Sequence, residues 1–270
     1  MPAFVLWSAP RSRSTAFLRS MIERGDIVAL HEPLETLAYD GPAEFAGTWF
    51  ESPVELLDWL IDGTSQINVF VKETMNERVL QAVLAHDRSL SELRHSFLIR
   101  RPEQIAASFL ALEGNLRIEG SGVEALHVLH SAVRRVNGHG PVVLDSDDLV
   151  SQPEASMAAY TSAVGLRFIP DALRWEAGHR PEWSKAARWH EDTSNSTGFE
   201  RPTEPDRHGL ESNEDVVHFA VRHRPFYDEL RAHRLDIMRP ADEETGRHQR
   251  GGPWRRPVGA GLTERSSNQK

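Results

Sequence analysis

Short, almost wholly apolar runs alternate along this chain with longer stretches in which apolar residues recur every three or four positions. Ala3 to Trp7 is the first run, apolar throughout, as in strands covered on both faces. The polar turn Ser8-Ala9-Pro10-Arg11-Ser12-Arg13-Ser14-Thr15 comes next, and Ala16 to Arg24 then carries Phe17, Leu18, Met21 and Ile22 at helical spacing. The chain therefore opens strand, polar loop, helix. Asp26 to Leu30 predicts a second strand, ending at His31-Glu32-Pro33. Ser52 to Ile61 predicts an amphipathic helix, with Ser52 as its cap, Pro53 in its first turn and Val54, Leu56, Leu57, Leu60 and Ile61 after them. Ile67 to Val71 predicts a strand that ends at Lys72-Glu73, and Glu77 to His86 a helix. The pattern continues with a strand over His95 to Ile99, the junction Arg100-Arg101-Pro102 and a helix over Glu103 to Leu112. A helix over Val123 to Val136, a strand over Pro141 to Leu144 and a helix over Ser151 to Val164 complete it.

Such alternation implies an α/β fold, three-layered, with a central and mainly parallel sheet and flanking helices. Ligands of these sheets bind outside the carboxyl ends of the strands. Ser8 to Thr15, His31-Glu32, Lys72 and Arg100 all follow strands, so one face is expected to gather them. Beyond this core the character changes. Ala177 to Glu214 is polar with few periodic apolar positions and predicts a long ordered loop or lid. Asp215 to Leu235 predicts a final helix, broken or kinked near Pro225. The α/β domain is expected over 1–238. From Arg239 to Lys270 the chain is charged, rich in Gly and Pro and nearly free of aliphatics, a composition that predicts a disordered tail.

Composition narrows the function classes. The 270 residues suffice for a sizeable core without staples, and there is no cysteine, which excludes disulfides, thiolate metal sites and a cysteine nucleophile. A net charge of -9 argues against a broad nucleic-acid face, while leaving room for a local basic pocket. No stretch approaches the roughly 20 apolar residues of a membrane helix. Met1 to Leu6 is too short for a signal peptide, and Arg11 and Arg13 stand where the apolar region of such a peptide would have to continue, so a cytoplasmic protein is expected. The 13 histidines are scattered, and no metal site is expected from their spacing.

A strand leading through a Ser/Arg-rich turn into a helix is the layout of a phosphate site, because backbone N–H groups and the helix dipole converge on the anion. The pattern GxxxxGK(S/T) is absent, and no glycine occurs before Gly25, which disfavours an ordinary ATPase or GTPase. Pro10-Arg11-Ser12-Arg13-Ser14-Thr15 instead resembles the 5′-phosphosulfate loop of sulfotransferases that use 3′-phosphoadenosine-5′-phosphosulfate (PAPS), commonly Pro-Lys-Ser-Gly-Thr-Thr. Arg11 stands at the lysine position and Arg13 at the glycine, while Ser12, Ser14 and Thr15 match the hydroxyl positions. Both departures look like those of bacterial sulfotransferase-like proteins acting on small molecules. Phe97 to Ser108 is similar to the family's 3′-phosphate segment, with Arg100 and Ser108 at its eight-residue spacing and Arg101 in place of an asparagine. Val142 to Leu149, with Pro153-Glu154 and Gly165-Leu166 after it, resembles a structural stretch of the same family.

The resemblance implies a sulfotransferase that moves a sulfuryl group from PAPS to a hydroxyl or amine of a small-molecule acceptor and releases adenosine 3′,5′-bisphosphate (PAP). A place in a biosynthetic pathway is part of that expectation. It implies cofactor-binding roles for Arg11, Ser12, Arg13, Ser14, Thr15, Arg100 and Ser108. Glu32, in a Glu-Pro context, is then the expected general base, with His31 as the alternative, and Lys72 would stabilise the leaving oxygen. Neither a nucleic acid nor a membrane is an expected partner, and a protein partner or homo-oligomer is not readable. Trp189-His190 with Ser196 to Phe199 looks like a loop over the nucleotide in bacterial relatives, while the family's Arg-Lys-Gly segment is not found. Trp49, Phe50, Trp59, Trp175 and Trp183 are candidates to line the acceptor pocket or stack on adenine, against a plain core role. Two other classes stay open. A nucleotide-dependent phosphotransferase would bind ATP with Mg²⁺, and a non-catalytic partner would bind PAP without turnover.

Overall fold

The computed structural model describes residues 3–63, 67–116, 122–199 and 212–237. Five parallel strands form the central sheet: β1 (Phe4–Ser8), β2 (Ile27–His31), β5 (Asn68–Thr74), β6 (Arg94–Ile99) and β7 (Val142–Asp145), in the order β2-β5-β1-β6-β7. A separate hairpin pairs β3 (Ala43–Phe45) with β4 (Thr48–Phe50). Apolar alternation within the strands divides the core. Val5 and Trp7 of β1 face one layer, with Val71, Ile99 and Val143, while Phe4 and Leu6 face the other, with Phe70, Leu98 and Leu144. The first layer is closed by α3 (Pro53–Asp58), α4 (Glu77–Ala85), the single turn α5 (Ser89–Glu92), α7 (Val123–Asn137) and the C-terminal helix Glu214–Arg231. The second is closed by α1 (Ser14–Glu23) and α9 (Pro153–Val164), the latter preceded by the short α8 (Ser146–Ser151). No helix among the described residues is long and apolar enough to cross a membrane.

The strands and helices lie within a few residues of their expected bounds, and the differences have local causes. Ser52 Oγ accepts from the Glu55 N–H, as its capping role requires, but α3 ends at Asp58 and continues as a single π turn, Trp59–Gly63. The helix expected over Ser151 to Val164 is α9, starting at Pro153, and Gln152, outside the helical region, separates it from the short α8 that the periodicity does not show. The C-terminal helix runs through Pro225 without breaking. Its Tyr227 hydroxyl donates to Asp145 Oδ2 at 2.7 Å, and Arg231 pairs with the same oxygen, so the helix is pinned to the end of β7 by more than its own backbone. Asp145 also caps α8 through the Asp147 N–H. The segment beginning at Ala177 carries a 3₁₀ stretch, Pro181–Trp189, and α10 (Glu191–Asn195), while its residues 200–211 and the tail from Arg239 lie outside the described residues. Helix α2 (Pro33–Tyr39) and the β3–β4 hairpin have no counterpart in the periodicity, because each is too short to show a repeat.

Strand β1 sits between β5 and β6, so the chain leaves it in both directions and opens a crevice at its carboxyl end. Gly122, which leads into α7, packs against the start of the loop after β1. Its φ of +71° suits glycine, and a Cβ there would meet the Met75 carbonyl oxygen at 2.5 Å and Pro10 Cδ at 2.9 Å. Gly122→Ala is therefore expected to cost about 2 kcal/mol or more in urea unfolding, since backbone strain and a backbone clash add.

Candidate active site

The loop after β1 turns twice through left-handed backbone, at Arg11 (φ 60°) and Arg13 (φ 66°). Glycine is the usual residue in that conformation, which accounts for glycine in the related motif at the position Arg13 occupies. The turns deliver α1 with no side-chain cap on its N-terminus. Ser12 Oγ, fully buried, has no hydrogen-bond partner among the described residues. A backbone terminus without a side-chain cap, an orphaned hydroxyl and two arginines form a donor set that suits an anion.

The second cationic group meets the first directly. Arg11 Nε donates to Ser108 Oγ at 2.9 Å, and Arg100 Nη1 donates to the Arg11 carbonyl at 2.6 Å. Arg100 and Ser108 are both buried, the first at the end of β6 and the second within α6 (Pro102–Glu113), the helix that starts at the next turn. Arg101 points elsewhere and pairs with Asp147 at 2.8 Å. Trp189 and His190 close over the loop, the Trp189 carbonyl accepting from Arg11 Nη1 at 2.6 Å and His190 Nδ1 sharing a 2.8 Å hydrogen bond with Thr15 Oγ1.

Next to this loop, the ends of β2 and β5 contribute a carboxylate–ammonium pair. Lys72 Nζ and the Thr74 hydroxyl both donate to Glu32 Oε1, and Lys72 also donates to Thr74 Oγ1 at 3.0 Å. Lys72 is buried, not a surface lysine, and Glu32 pairs with it, not with Arg11 or Arg13. Burial works to raise the Glu32 pKa, but the Lys72 ammonium and the two hydrogen bonds outweigh it and hold the carboxyl well below the usual range. Glu32 also has left-handed backbone, φ 50°, held by the Glu32 N–H bond to the Lys72 carbonyl at 2.8 Å. Glu73, fully buried beside it, accepts from the Leu34 and Glu35 N–H groups at 3.1 and 3.0 Å and so fixes the start of α2. Burial pushes the Glu73 carboxyl well up against these donors. His31 lies 3.7 Å from Glu32 Oε2 and packs edge-on against His190. Burial and then Lys72 lower the pKa of His31 to about 3 and that of His190 to about 4, so both imidazoles are neutral at pH 7.

Most of these groups, though not Glu73 or Arg101, line a single cavity of about 1170 Å³. Arg11 to Thr15, Arg100 and Ser108 stand on its walls together with His31, Glu32 and Lys72. Of the five aromatics, Trp49 and Trp183 reach it, whereas Phe50 and Trp175 are buried in the two cores and Trp59 packs against the first. Thr74, Glu35 and His190 also line it. Nothing local in the sequence marks Thr74 or Glu35, which lies on a helix too short to read; His190 belongs to the loop read as covering the nucleotide, and its contact with Thr15 spans 175 residues.

The sulfotransferase-domain family model matches residues 3–234. The chain belongs to this sulfotransferase family. The cavity occupies the crevice beside β1 that the strand order opens. Branched-chain-amino-acid aminotransferase-like protein 2 of Arabidopsis thaliana is 30% identical over 246 residues, which span 84% of this chain and 41% of the plant protein. The plant's aminotransferase-like protein 1 is 27% identical over 238 residues, with the same shares covered. This sulfotransferase chain therefore spans less than half the length of the curated relatives it matches. The sulfotransferase domain from the curacin biosynthetic pathway superposes with a TM-score of 0.53 at 10% identity, covering 82% of this chain and 97% of that domain, a likeness of fold.

Proposed function

We propose that this domain transfers a sulfuryl group from PAPS to a hydroxyl or amine of a small-molecule acceptor, giving PAP and a sulfated product. One observation carries the reading: the arginine–hydroxyl group of the β1 loop and that of the β6–α6 turn touch each other through Arg11, Ser108 and Arg100, beside the Lys72–Glu32 pair. Two cationic groups on one cavity wall can take the two phosphate groups of one bisphosphorylated nucleoside. Arg11, Ser12, Arg13, Ser14 and Thr15 would hold the 5′ end, and Arg100 and Ser108 the 3′-phosphate.

The roles of the remaining groups follow from charge. The acceptor oxygen bonds to sulfur as the sulfur–phosphate oxygen bond breaks, the electron pair leaves with the phosphate, and the acceptor proton passes to Glu32. Lys72, at the end of the strand next to β1, neutralises the charge that develops on the leaving oxygen. As the ammonium turns toward that charge, Glu32 loses its strongest partner and its basicity rises toward what proton abstraction needs. His31 is the second candidate for that proton.

Calorimetry is expected to show PAP binding. Arg100→Ala should weaken it about tenfold or more and Ser14→Ala several-fold, as befits a charged and a neutral phosphate contact. Tight ATP binding with no PAP binding would replace this reading with a phosphotransferase.

A further inference from the structure

An α-helix leaves the N–H groups of its first turn without partners, and the side chain of the N-cap residue before it usually accepts from the second or third of them. Ser52, Asn76 and Asp145 follow that rule, each capping the helix it precedes. Helix α2 does not. Its N-cap residue is Glu32, whose carboxylate turns instead to Lys72 and Thr74 in the cavity. The two N–H groups that a Glu32 cap would serve, those of Leu34 and Glu35, are taken by the two carboxyl oxygens of Glu73 at 3.1 and 3.0 Å.

Alternation along β5 divides the work. Lys72 and Thr74 leave one side of the strand and hold the Glu32 carboxylate, while Glu73 leaves the other, the side of Val71, where Leu34 and Leu37 of α2 pack. Glu73 is fully buried and does not line the cavity. A carboxyl group so enclosed is costly unless its oxygens are satisfied, and the α2 N–H groups satisfy both. The residue is held through its backbone as well, the Ser8 hydroxyl donating to the Glu73 carbonyl at 3.2 Å. Glu32, for its part, keeps left-handed backbone that a residue with a side chain adopts only where its surroundings impose it. The first turn of α2 helps to impose it: the Thr36 N–H and hydroxyl both donate to the Glu32 carbonyl at 3.0 Å.

We propose that Glu73 is a positioning residue for the reaction: by capping α2 in place of Glu32, it keeps the Glu32 carboxylate in the cavity for the proton of the acceptor. Resting on the sulfuryl-transfer reading of that cavity, the role belongs to a residue that touches neither donor nor acceptor. Without Glu73, the open N–H groups of Leu34 and Glu35 would draw the carboxylate of their own N-cap residue, Glu32, and Lys72 would lose its partner.

The test uses the full chain with water as the acceptor. The water oxygen bonds to sulfur as the sulfur–phosphate oxygen bond breaks, its proton passes to Glu32, and PAPS gives PAP and sulfate, which chromatography follows. Glu73→Met, of similar length but without an accepting oxygen, is expected to lower the rate about 10- to 100-fold. Glu73→Gln, which keeps one such oxygen, should lower it by less, with PAP affinity within about twofold in both variants. Leu37→Ala unpacks the same helix without touching the cap, so it should lower the melting temperature and leave the rate within about twofold. In the Glu32→Gln background, Glu73→Met should lower the rate by less than about twofold further, since a residue that acts through Glu32 then has nothing to position. Hydrogen exchange needs no reaction and reads the cap alone: the Glu32, Leu34 and Glu35 amides are expected to exchange about tenfold or more faster in Glu73→Met. If Glu73→Met fails to bind PAP, the same comparisons are made on Glu73→Gln. An undiminished rate, an equal fall in Leu37→Ala, a full further fall in the Glu32→Gln background, or unchanged exchange at those amides would overturn the positioning role. PAP binding with no PAPS cleavage by the unaltered chain would count instead against the proposed reaction, and exchange would then decide whether Glu73 holds Glu32 in place.

Discussion

Glu32→Gln is expected to lower turnover by about 10²–10³-fold, the usual contribution of a positioned general base, while leaving PAP affinity within about twofold. The substitution is nearly isosteric. An amide oxygen can still accept from Lys72 Nζ and Thr74 Oγ1, so the geometry that aligns β2 and β5 is kept and the basicity is lost. The Lys72 ammonium then has no carboxylate beside it, and a modest fall in stability accompanies the loss of turnover. Single-turnover measurement of the sulfated product with PAPS as donor checks it. Undiminished turnover in Glu32→Gln would move the proton to His31, and a fall in PAP affinity equal to the fall in rate would make Glu32 a binding residue.

Stability is expected to fall by about 3 kcal/mol between pH 7 and pH 5, with cooperative unfolding near pH 4. Four buried histidines drive it. His95 is the plainest: its Nδ1 accepts from the Trp7 indole N–H at 2.8 Å, and its Nε2 then donates to the Ser89 carbonyl at 2.9 Å. A second proton would set two N–H groups against each other, and burial lowers its pKa to about 4. Burial likewise lowers His130 and His190 to about 4 and His31 to about 3. A folded pKa below the unfolded value of about 6.5 means that the unfolded chain binds more protons as pH falls, at about 2 kcal/mol per group by pH 5. Glu35 opposes this. Its folded pKa of about 7 lies above the unfolded value, so the folded state takes up its proton first and gains stability as pH falls from about 7 toward 4. Glu73, also raised, acts in the same sense. Below about pH 4.3 their gain is complete, and protonation of Glu32, whose pKa is depressed, removes stability in turn. Urea titrations at pH 7, 6 and 5 measure the slope. Glu35→Gln should be more stable at pH 7 and lose stability more steeply, and a flat profile would contradict the neutral histidines.

The alternation of apolar runs and helical repeats determined the α/β class and located each sheet strand to within a few residues, because burial on both faces leaves its mark on every position of a strand. The motif residues were legible for a related reason. Arg11 to Thr15 and Arg100 with Ser108 each sit within one local segment, where the chain direction at a strand's end sets what can face a ligand. Tertiary structure alone decided the rest. That Lys72, not Arg11, holds Glu32 depends on β2 and β5 being neighbours, a pairing across 40 residues. That His190 rests on Thr15 depends on a polar segment folding back over the loop, where periodicity carries no signal. The aromatics divided between core and cavity by the packing of α3, the hairpin and the 3₁₀ stretch, since a tryptophan's side chain is equally suited to either. Local pattern is written by water on each segment separately, whereas partners across the cavity are chosen only when the sheet order brings the strand ends together.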